Sequence, residues 1–529
     1  MRSNKEPALL RQIGLLGLTM SGIGSMVGSG WLFSAYFTAK LAGPAAILSW
    51  IIGGLFAMAI ALTICELGSL FPKSGGMARY LDYTHGSLSG FLSAWANWLG
   101  TVAIVPIEAE ASIQYMSSWP WHWAQQLYNP ITHNLTLTGL VGAVMLILFY
   151  FSLNYWSLKL FVRFVASITI LKIIIPALTA IMLIYSGFHS SNFTSVNNSF
   201  IPYGWTGVLT AIATCGIVMS FNGFQSPVNL AGEAKNPRVN LPLALIIGIA
   251  ITLAIYLLLQ IAFIGAISPT QLAAVGWHGI NFKSPLAELA LLFQLNFIAL
   301  LLYFDSFVAP SGTGVIYLAT TSRMLYGMER NGYMPRFLGF LHPKYRIPRH
   351  ALVINFLISL IFLFCFRGWA HLVAIISAAH IISYIPGPIS VGSLRRLSPP
   401  VPRTFKLPCI NIVGPLAFVL ISLLFYWIRW PLTGQVILVL FISLIFYFYY
   451  QHQHGWRDFQ QQLKAAAWLI VYFIGLVLFS YCGGQDFGGI GLLSATASHI
   501  GLIIFSILIY IWGVQSAWMT PLLKTVEVD

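Results

Sequence analysis

Apolar stretches of about 20 residues recur along this chain, and that is the length an α-helix needs to cross the hydrocarbon core of a bilayer. Of the 529 residues, 58% are hydrophobic and only 8% are charged, and the mean hydropathy is +0.81. A β-barrel would instead show short segments of alternating hydrophobicity. The sequence therefore predicts an all-α, polytopic membrane protein.

Fourteen of these stretches are candidate spans, numbered here from one to fourteen. They cover residues 12–36, 44–70, 87–115, 138–153, 164–187, 205–231, 241–267, 291–322, 350–366, 370–394, 411–428, 433–450, 465–481 and 498–518. We expect a core over 12–394, a basic cytoplasmic loop over 395–410 and accessory transmembrane helices over 411–518. Residues 1–11 and 519–529 are the expected cytoplasmic termini.

Lys and Arg residues are distributed unevenly between the two sides of these spans. If the N-terminus is inside, 22 of the 27 lie on the inner side, and Lys172 lies within span five. The outer connections hold only Lys40, Lys283, Arg367 and Arg429. Because cytoplasmic loops carry the excess of positive charge, we expect both termini in the cytoplasm. The net charge of +14 is thereby explained by topology, and no nucleic-acid partner is expected.

Span one contains a cluster of residues that disfavour a continuous helix. Residues 21–30 read SGIGSMVGSG, with four glycines and three serines. Each glycine weakens a helix by about 1 kcal/mol relative to alanine, and the membrane holds no water to satisfy freed backbone groups. Two interpretations are open. The cluster is a small-residue face for close helix packing, or the helix opens here and offers N–H groups to a carboxylate and carbonyl groups to an ammonium.

Span six contains a second interruption, because residues 220–227 read SFNGFQSP and combine Asn, Gly and Pro. Interruptions at matching places, five spans apart, indicate a binding site between two inverted five-helix repeats, spans one to five and six to ten. We predict unwinding at residues 22–29 and 221–224. The predicted contact residues are Ile23, Gly24, Ser25, Met26, Val27 and Gly28 in span one, and Phe221, Asn222, Gly223 and Phe224 in span six. The N–H groups of residues 25–28 would meet the carboxylate, carbonyls near Ile23 and Phe221 the ammonium, and Phe221 or Phe224 would form a lid.

Six ionisable side chains lie at membrane depth, where each is costly and so is a functional candidate. They are Glu66, Glu108, Glu110, Lys172, Asp305 and His380. Lys172, near the middle of span five, is a proton carrier or a side chain that extends to the interface. Asp305 in span eight is a partner of Lys172, a proton relay or a helix N-cap.

The other four ionisable side chains at membrane depth each have two interpretations. Glu66 reaches the inner interface or binds loop arginines. Glu108 and Glu110 face different sides of a helix, and they form an outer vestibule or reach the surface. His380 is a group that titrates near neutral pH or a polar packing residue.

Several motifs, in this order, resemble the amino acid–polyamine–organocation (APC) family over residues 10 to 450. Span one resembles its opening motif and span six its broken helix. The other matching segments are FPKSGGMARYLDY (71–83), AGEAKNPRVNLP (231–242), TSRMLYGMERNGYMP (321–335) and LRRLSPPVPRTFKLP (394–408). The fourteen spans and the C-terminal stretch resemble the aspartate–proton symporter branch.

This resemblance implies a secondary transporter with a 5+5 inverted-repeat core, extra C-terminal helices and an amino acid substrate. In proton-coupled members a lysine in span five replaces a bound sodium near spans one and eight, which implies proton coupling through Lys172. Asp305 is the second candidate coupling residue, from its position in span eight. In acid-resistance antiporters an acid follows the glycine of span six by two residues. That position is Gln225 here, which disfavours a carboxylate gate or a carboxylate contact with a cationic substrate. The candidate gating or vestibule residues are Glu108, Gln225 and His380.

The function that this implies is proton-coupled import of an amino acid across the bacterial inner (plasma) membrane. The expected partners are the amino acid, protons and the lipid bilayer, in a monomer or homodimer without a cofactor or a metal. An amino acid or amine exchanger and a transport-dead sensor remain alternatives. A channel would require a ring of charges or carbonyls, and an enzyme is disfavoured because the acids and histidines do not cluster.

Overall fold

The computed structural model describes residues 13–71, 77, 79–156, 158–194, 199–231, 234–343, 347–366, 368–397, 403, 405–453, 455–456 and 458–524. Its regular structure is almost entirely helical. Two short strands, Tyr128–Asn129 and Asn134–Leu135, pair antiparallel in the connection after span three.

The helices are numbered α1 to α23 in chain order. They are α1 (Leu15–Met26), α2 (Gly30–Ala42), α3 (Ala46–Leu70), α4 (Tyr80–His85), α5 (Ser87–Met116), α6 (His122–Gln125), α7 (Leu137–Trp156), α8 (Leu158–Ser186), α9 (Gly204–Thr214), α10 (Ile217–Phe221), α11 (Ser226–Asn229), α12 (Pro237–Ala266), α13 (Pro269–Gly279), α14 (Pro285–Leu292), α15 (Asn296–Arg330), α16 (Arg349–Cys365), α17 (Trp369–Ser383), α18 (Pro386–Leu397), α19 (Ile410–Tyr426), α20 (Leu432–Gln453), α21 (Phe459–Cys482), α22 (Ala495–Ser516) and α23 (Pro521–Lys524). Short 3-10 turns lie at Gly43–Ala45, Ser190–Phe193, Arg336–Gly339 and Gln485–Phe487.

Every predicted span overlaps one or more of these helices. Among the described residues, ten helical segments are long and apolar enough to cross a membrane, or eleven if the bent pair Gly204–Thr214 and Ile217–Val228 is one span. Three shorter apolar helices, Leu15–Met26, Arg349–Cys365 and Ile410–Tyr426, coincide with the first half of span one and with spans nine and eleven. The protein is therefore an all-α, multi-pass membrane protein.

Span one is interrupted at residues 27–29, between α1 and α2. This interruption is shorter than the predicted 22–29, because residues 22–26 remain helical. Gly24 within that helical part allows α8 to approach, since a Cβ there would lie 2.8 Å from Thr169 Oγ1. The glycine cluster thus serves close packing inside α1, and the backbone is open at the end of that helix; binding of a ligand there stays a prediction.

Span six is interrupted twice, and its first interruption was not predicted. Residues 215–216 separate α9 from α10, and the two parts of the span are bent by 45°. Gly216 has a φ of 91°, in the left-handed region that only glycine adopts readily. A single glycine in an apolar segment does not by itself predict such a break.

The second interruption of span six covers residues 222–225, one residue later than predicted, because Phe221 is still helical. Gly223 has a φ of 108°, and a Cβ there would lie 2.7 Å from the backbone carbonyl carbon of Ser25. Only glycine fits this contact. The interruptions of spans one and six therefore lie directly against each other.

The C-terminal helices pack against the core. Helix α19 contacts α3 and α18, and both α20 and α21 contact α5. A ring nitrogen of His85 in α4, Nε2, lies 2.7 Å from the carbonyl oxygen of Gly513 in α22. The N–H of Trp518 donates to the carbonyl oxygen of Thr84 at 3.0 Å. The accessory helices thus hold α4 and α5, and α5 contributes to the site described next.

Candidate functional site

A small cavity lies where the interruptions of spans one and six meet α5 and α15. It is lined by Ser25, Met26, Gly28, Gly30, Ile104, Glu108, Met219, Ser220, Asn222, Thr313 and Tyr317. Four predicted contact residues are among these, namely Ser25, Met26, Gly28 and Asn222. The other six, Ile23, Gly24, Val27, Phe221, Gly223 and Phe224, are not part of the lining.

The last carbonyl groups of α1 are bonded by side chains from three other spans. A helix leaves its final carbonyls without intrahelical partners. The carbonyl oxygen of Gly24 accepts from Lys172 Nζ at 2.9 Å. That of Ser25 accepts from the Tyr317 hydroxyl at 3.5 Å, and that of Met26 accepts from the Tyr256 hydroxyl at 3.2 Å. The end of α1 is therefore held by α8, α12 and α15.

Lys172 joins three spans at this point. Its Nζ also donates to Thr313 Oγ1 at 2.7 Å, so α8 is connected to both α1 and α15. A cation is favourable there because the C-terminal end of a helix carries a partial negative charge. Extension to the membrane interface is wrong, because the side chain is 1% exposed and bonds inside the protein.

Asp305 does not form an ion pair with Lys172. Within the described part of the chain the ion pairs are those of Glu66 with Arg395 and Arg403. Both carboxyl oxygens of Asp305 are buried without a hydrogen-bond partner among the described residues. The N-cap interpretation is also wrong, because Asp305 lies well inside α15. A relay role remains a prediction, and Asp305 is close enough to interact electrostatically with Lys172.

Glu108 reaches from α5 to the interruption of span one. Its Oε2 accepts from the Ser29 N–H at 2.8 Å, at the start of α2. Its Oε1 has no partner among the described residues, and the side chain lines the cavity. A carboxylate is favoured at a helix N-terminus. The predicted vestibule or surface position is wrong for Glu108, because the residue is only 1% exposed.

Glu110 faces away from the cavity, as predicted for acids two residues apart on a helix. It is also buried rather than in a vestibule, and its Oε2 accepts from the N–H of Gly368 at 3.0 Å. The next residue, Trp369, donates from Nε1 to Ser29 Oγ at 3.0 Å. Its ring stacks on Phe37, with centroids 5.3 Å apart. An aromatic side chain of α17 therefore packs against the interruption of span one.

The two predicted lid residues have other contacts. Phe221 packs against Trp50 and Tyr256, with ring centroids 6.0 and 6.1 Å apart. Phe224 packs against Tyr384 at 5.3 Å. Because both rings fill space between helices, neither forms a lid over the cavity in this structure.

Gln225 stabilises the second interruption of span six. Its Oε1 accepts from the Gly223 N–H at 3.2 Å, and its Nε2 donates to Asn222 Oδ1 at 3.1 Å. Asn222 also donates to the Tyr317 hydroxyl at 3.3 Å and accepts from the Tyr384 hydroxyl at 3.2 Å. This network fixes how Asn222 faces the cavity, whereas Gln225 itself lies behind it.

Two further predicted residues lie away from the cavity. His380 is buried with Nδ1 3.0 Å from the carbonyl oxygen of Ile376 and Nε2 3.4 Å from Thr101 Oγ1, which is the polar packing interpretation. Glu66 accepts from two nitrogens of Arg395, at 3.0 and 2.6 Å. Glu66 also pairs with Arg403 at 3.5 Å, so the interpretation that it binds a loop arginine is confirmed for Arg403, whereas Arg395 lies in the last turn of α18.

Six lining residues lie outside the sequence prediction. They are Gly30, Ile104, Met219, Ser220, Thr313 and Tyr317. Thr313 and Tyr317 are four residues apart on α15, so their hydroxyl groups lie on one face of the helix. This spacing, visible in the sequence, could have predicted a polar face at the site. Ile104 and Met219 gave none, because an apolar lining residue resembles any core residue. Among the described residues, no three or more His, Cys, Asp or Glu side chains are grouped to hold a metal ion.

Known proteins resemble the chain over most of its length. The family described as "Amino acid permease" matches residues 13–448. The glutamate/serine transporter AimA of Bacillus subtilis (strain 168) is 49% identical over 518 residues, which cover 98% of this chain and 96% of the relative. The aspartate-proton symporter of the same organism is 35% identical, over 96% and 97% of the two chains. The branched-chain amino acid permease BcaP, also from B. subtilis, is 25% identical over 85% and 95%.

Proposed function

Since the chain belongs to the amino acid permease family, we propose that it is a proton-coupled symporter that imports an amino acid across the bacterial plasma membrane. Its relatives include one named as a glutamate/serine transporter and one named as an aspartate-proton symporter, which supports L-serine, L-glutamate and L-aspartate as first candidates. The distribution of Lys and Arg supports cytoplasmic termini.

The substrate carboxylate would bind at the start of α2, where Gly28 and Gly30 line the cavity and the helix end is partially positive. The N–H of Ser29 already donates to Glu108, so the N–H of Gly30 is the donor we assign to the substrate. The N–H groups of Ser25 and Met26, predicted for this role, lie in the last turn of α1 and point back into that helix. The substrate ammonium would bind near the end of α10, beside Ser220 and Asn222, where a helix end is partially negative.

The observation that carries the proposal is the pair of hydrogen bonds from Lys172 to Gly24 and Thr313. The charged ammonium attracts the negative end of α1 and holds α15 against it. Loss of the proton removes that attraction, and a low-dielectric surrounding favours the uncharged amine. The contact between α1 and α15 is then weaker.

Substrate and proton would thus act on one structural element. The amino acid binds at the interruption that begins where α1 ends, and the proton on Lys172 holds that same end. Coupling requires an element with two states whose equilibrium both ligands shift. We propose that the end of α1 is this element.

Uptake by purified protein in liposomes tests the proposal. We expect an inward proton gradient to drive accumulation of L-serine or L-glutamate, with the same rate in the presence and in the absence of sodium. A requirement for sodium would contradict proton coupling. Counterflow without accumulation would identify an exchanger, and ligand binding without any transport would identify a sensor.

A further inference from the structure

Glu108 is the one carboxylic acid among the eleven residues that line the cavity, and no Lys, Arg or His is among them. The phenol of Tyr317, which also lines the cavity, is neutral at physiological pH. Its Oε1 is buried and has no hydrogen-bond partner among the described residues. A Cβ at Gly28 would lie 2.6 Å from that oxygen, so Oε1 lies directly against the open backbone of span one. A ligand that fills the cavity would therefore come close to this carboxyl group.

We propose that the ionisation state of Glu108 sets the charge class of substrate that the cavity accepts. An ionised Glu108 admits amino acids with neutral side chains. An acidic amino acid binds only when Glu108 holds a proton. This inference rests on the proposed function, since it assumes that amino acids bind in this cavity.

The charged and titratable groups that surround Glu108 support this link between its ionisation and the charge of the substrate. Lys172 on α8 is close enough to interact with it electrostatically, and so are the hydroxyl groups of Tyr150 on α7, Tyr256 on α12 and Tyr317 on α15. Phenol groups remain neutral at physiological pH. Lys172 is thus the one cation among these neighbours, and it is already bonded to the protein.

Two more titratable groups lie farther away. Asp305 on α15 interacts with Lys172 and adds a further acid to the region. His380 on α17 contacts Thr101, about two turns of α5 from Glu108. The described surroundings of Glu108 therefore hold one cation, Lys172, against two acids, Glu108 and Asp305, and no further cation to balance a second carboxylate of the substrate.

A zwitterionic amino acid brings no net charge, so it binds beside an ionised Glu108 without a net Coulomb penalty. An acidic amino acid has net charge −1, and its two carboxylates together with an ionised Glu108 would place three carboxylates in one buried, low-dielectric space, where like charges repel strongly. One proton on Glu108 removes its part of that repulsion. By linkage, binding of an acidic amino acid takes up one more proton than binding of a neutral one.

The test measures binding of L-glutamate, L-glutamine and L-serine to the purified full chain, by calorimetry or thermal stabilisation, from about pH 5.5 to about pH 8.5, where the charge of free glutamate does not change. Glutamine matches glutamate in size and differs in charge. In the wild type we expect the ratio of glutamate affinity to glutamine or serine affinity to fall with rising pH, by up to about tenfold per pH unit. In Glu108→Gln the ratio should be independent of pH, because the amide cannot ionise.

Glu110→Gln is the matched control, because Glu110 lies on the same helix and faces α17 instead of the cavity. It should keep the wild-type pH dependence. A slope that persists in Glu108→Gln, or equal slopes for glutamate and glutamine in the wild type, would overturn the inference. The comparison of glutamate with glutamine in the wild type needs no variant, so it tests the inference even if Glu108→Gln fails to fold.

Failure of this inference is distinguishable from failure of the proposed function. If the wild type binds serine or glutamine and binds no glutamate at any pH, this inference is wrong, while proton-driven uptake of neutral amino acids still supports symport. If none of the three amino acids binds, this inference is wrong as well. Proton-driven uptake of the other amino acids then decides the proposed function separately.

Discussion

The ammonium group of Lys172 donates a 2.9 Å hydrogen bond to the carbonyl oxygen of Gly24, at the end of a helix that stops within span one. This bond connects the middle of α8 to the backbone on which the cavity is built. The neighbouring carbonyls of Ser25 and Met26 are bonded by neutral tyrosine hydroxyls, so among these three donors only Lys172 can carry a positive charge.

Substitution of Gly28 by leucine should abolish substrate binding. A Cβ at this position would already lie 2.6 Å from Glu108 Oε1 and 3.1 Å from Thr313 Oγ1, so a larger side chain must occupy the cavity. Thermal stabilisation by L-serine or L-glutamate measures the loss. Gly327→Leu is a suitable control, because a Cβ at Gly327 on α15 has nothing within 4 Å. Equal stabilisation of the wild type and Gly28→Leu would contradict the position assigned to the ligand.

Substitution of Gly223 by alanine should destabilise the protein. The φ of 108° strains any side chain by about 1–3 kcal/mol, and the Cβ would also lie 2.7 Å from the carbonyl carbon of Ser25. Gly455 also has a positive φ, 77°, but a Cβ added there would have no atom within 4 Å. The variant Gly455→Ala therefore measures backbone strain without a steric clash. The melting temperature of Gly223→Ala should be the lower of the two. A reversed order would show that the two interruptions do not press against each other.

Substitution of Glu66 by glutamine should release the loop after α18 from span two. Glu66 is 2% exposed and accepts from Arg395, from Arg403 and from the N–H of Leu407 at 2.8 Å. Loss of the negative charge weakens these bonds by about 2 kcal/mol. Trypsin should then cleave after Arg395 and Arg403 faster than in the wild type, as judged by gel and mass spectrometry. An unchanged cleavage rate would mean that Glu66 does not hold the loop.

Stability should fall as pH rises because of Asp82, which lies in α4, outside the spans. Burial raises the pKa of Asp82 to about 8, although the Tyr333 hydroxyl and Arg79 act in the opposite direction. In the unfolded chain the pKa of an aspartate is about 3.9. The folded protein thus holds a proton that the unfolded chain releases, and this contribution is complete below about pH 4 and is lost by about pH 8.

Asp82→Asn should remove this part of the pH dependence, because the amide keeps an oxygen for Tyr333 and cannot ionise. Melting temperatures of the two proteins between about pH 5 and about pH 8 measure the difference. The curves should converge toward low pH if the neutral acid and the amide pack alike. Parallel curves for the wild type and the variant would exclude Asp82 as the source.

Residue chemistry predicted the architecture well, because the bilayer sets both the length and the composition of a span. It also located the interruptions, since the Gly–Ser cluster of residues 21–30 and the Asn–Gly–Pro combination after Phe221 weaken helices locally. The single Gly216 could not be recognised in the same way. An added Cβ at Gly216 would lie 2.9 Å from the ring of Trp369 in α17, and such a contact with a distant part of the chain cannot be read from the immediate sequence neighbours.

The site was predicted only in part, because long-range packing decides which side chains reach the interruptions. Lys172 stood out as a cation in an apolar segment, and its contact with α1 and α15 agrees with the expectation from family resemblance. Trp369 could not be distinguished from other aromatic residues, although its Nε1 donates to Ser29 Oγ. A pair of Asp305 with Lys172 was one of three interpretations from the sequence, and the structure does not contain it, because the orientation of a side chain within a span is decided by packing.

The account depends most on Lys172, and accumulation by the Lys172→Ala protein tests it most directly. Lys464→Ala is the matched control, because Lys464 is exposed near the start of α21. Both variants are measured in liposomes with an imposed inward proton gradient, and counterflow of labelled substrate shows that the protein is functional. We expect Lys464→Ala to accumulate substrate like the wild type and Lys172→Ala to retain counterflow while losing accumulation. If Lys172→Ala still concentrates substrate under the proton gradient, the proposed role of Lys172 is wrong.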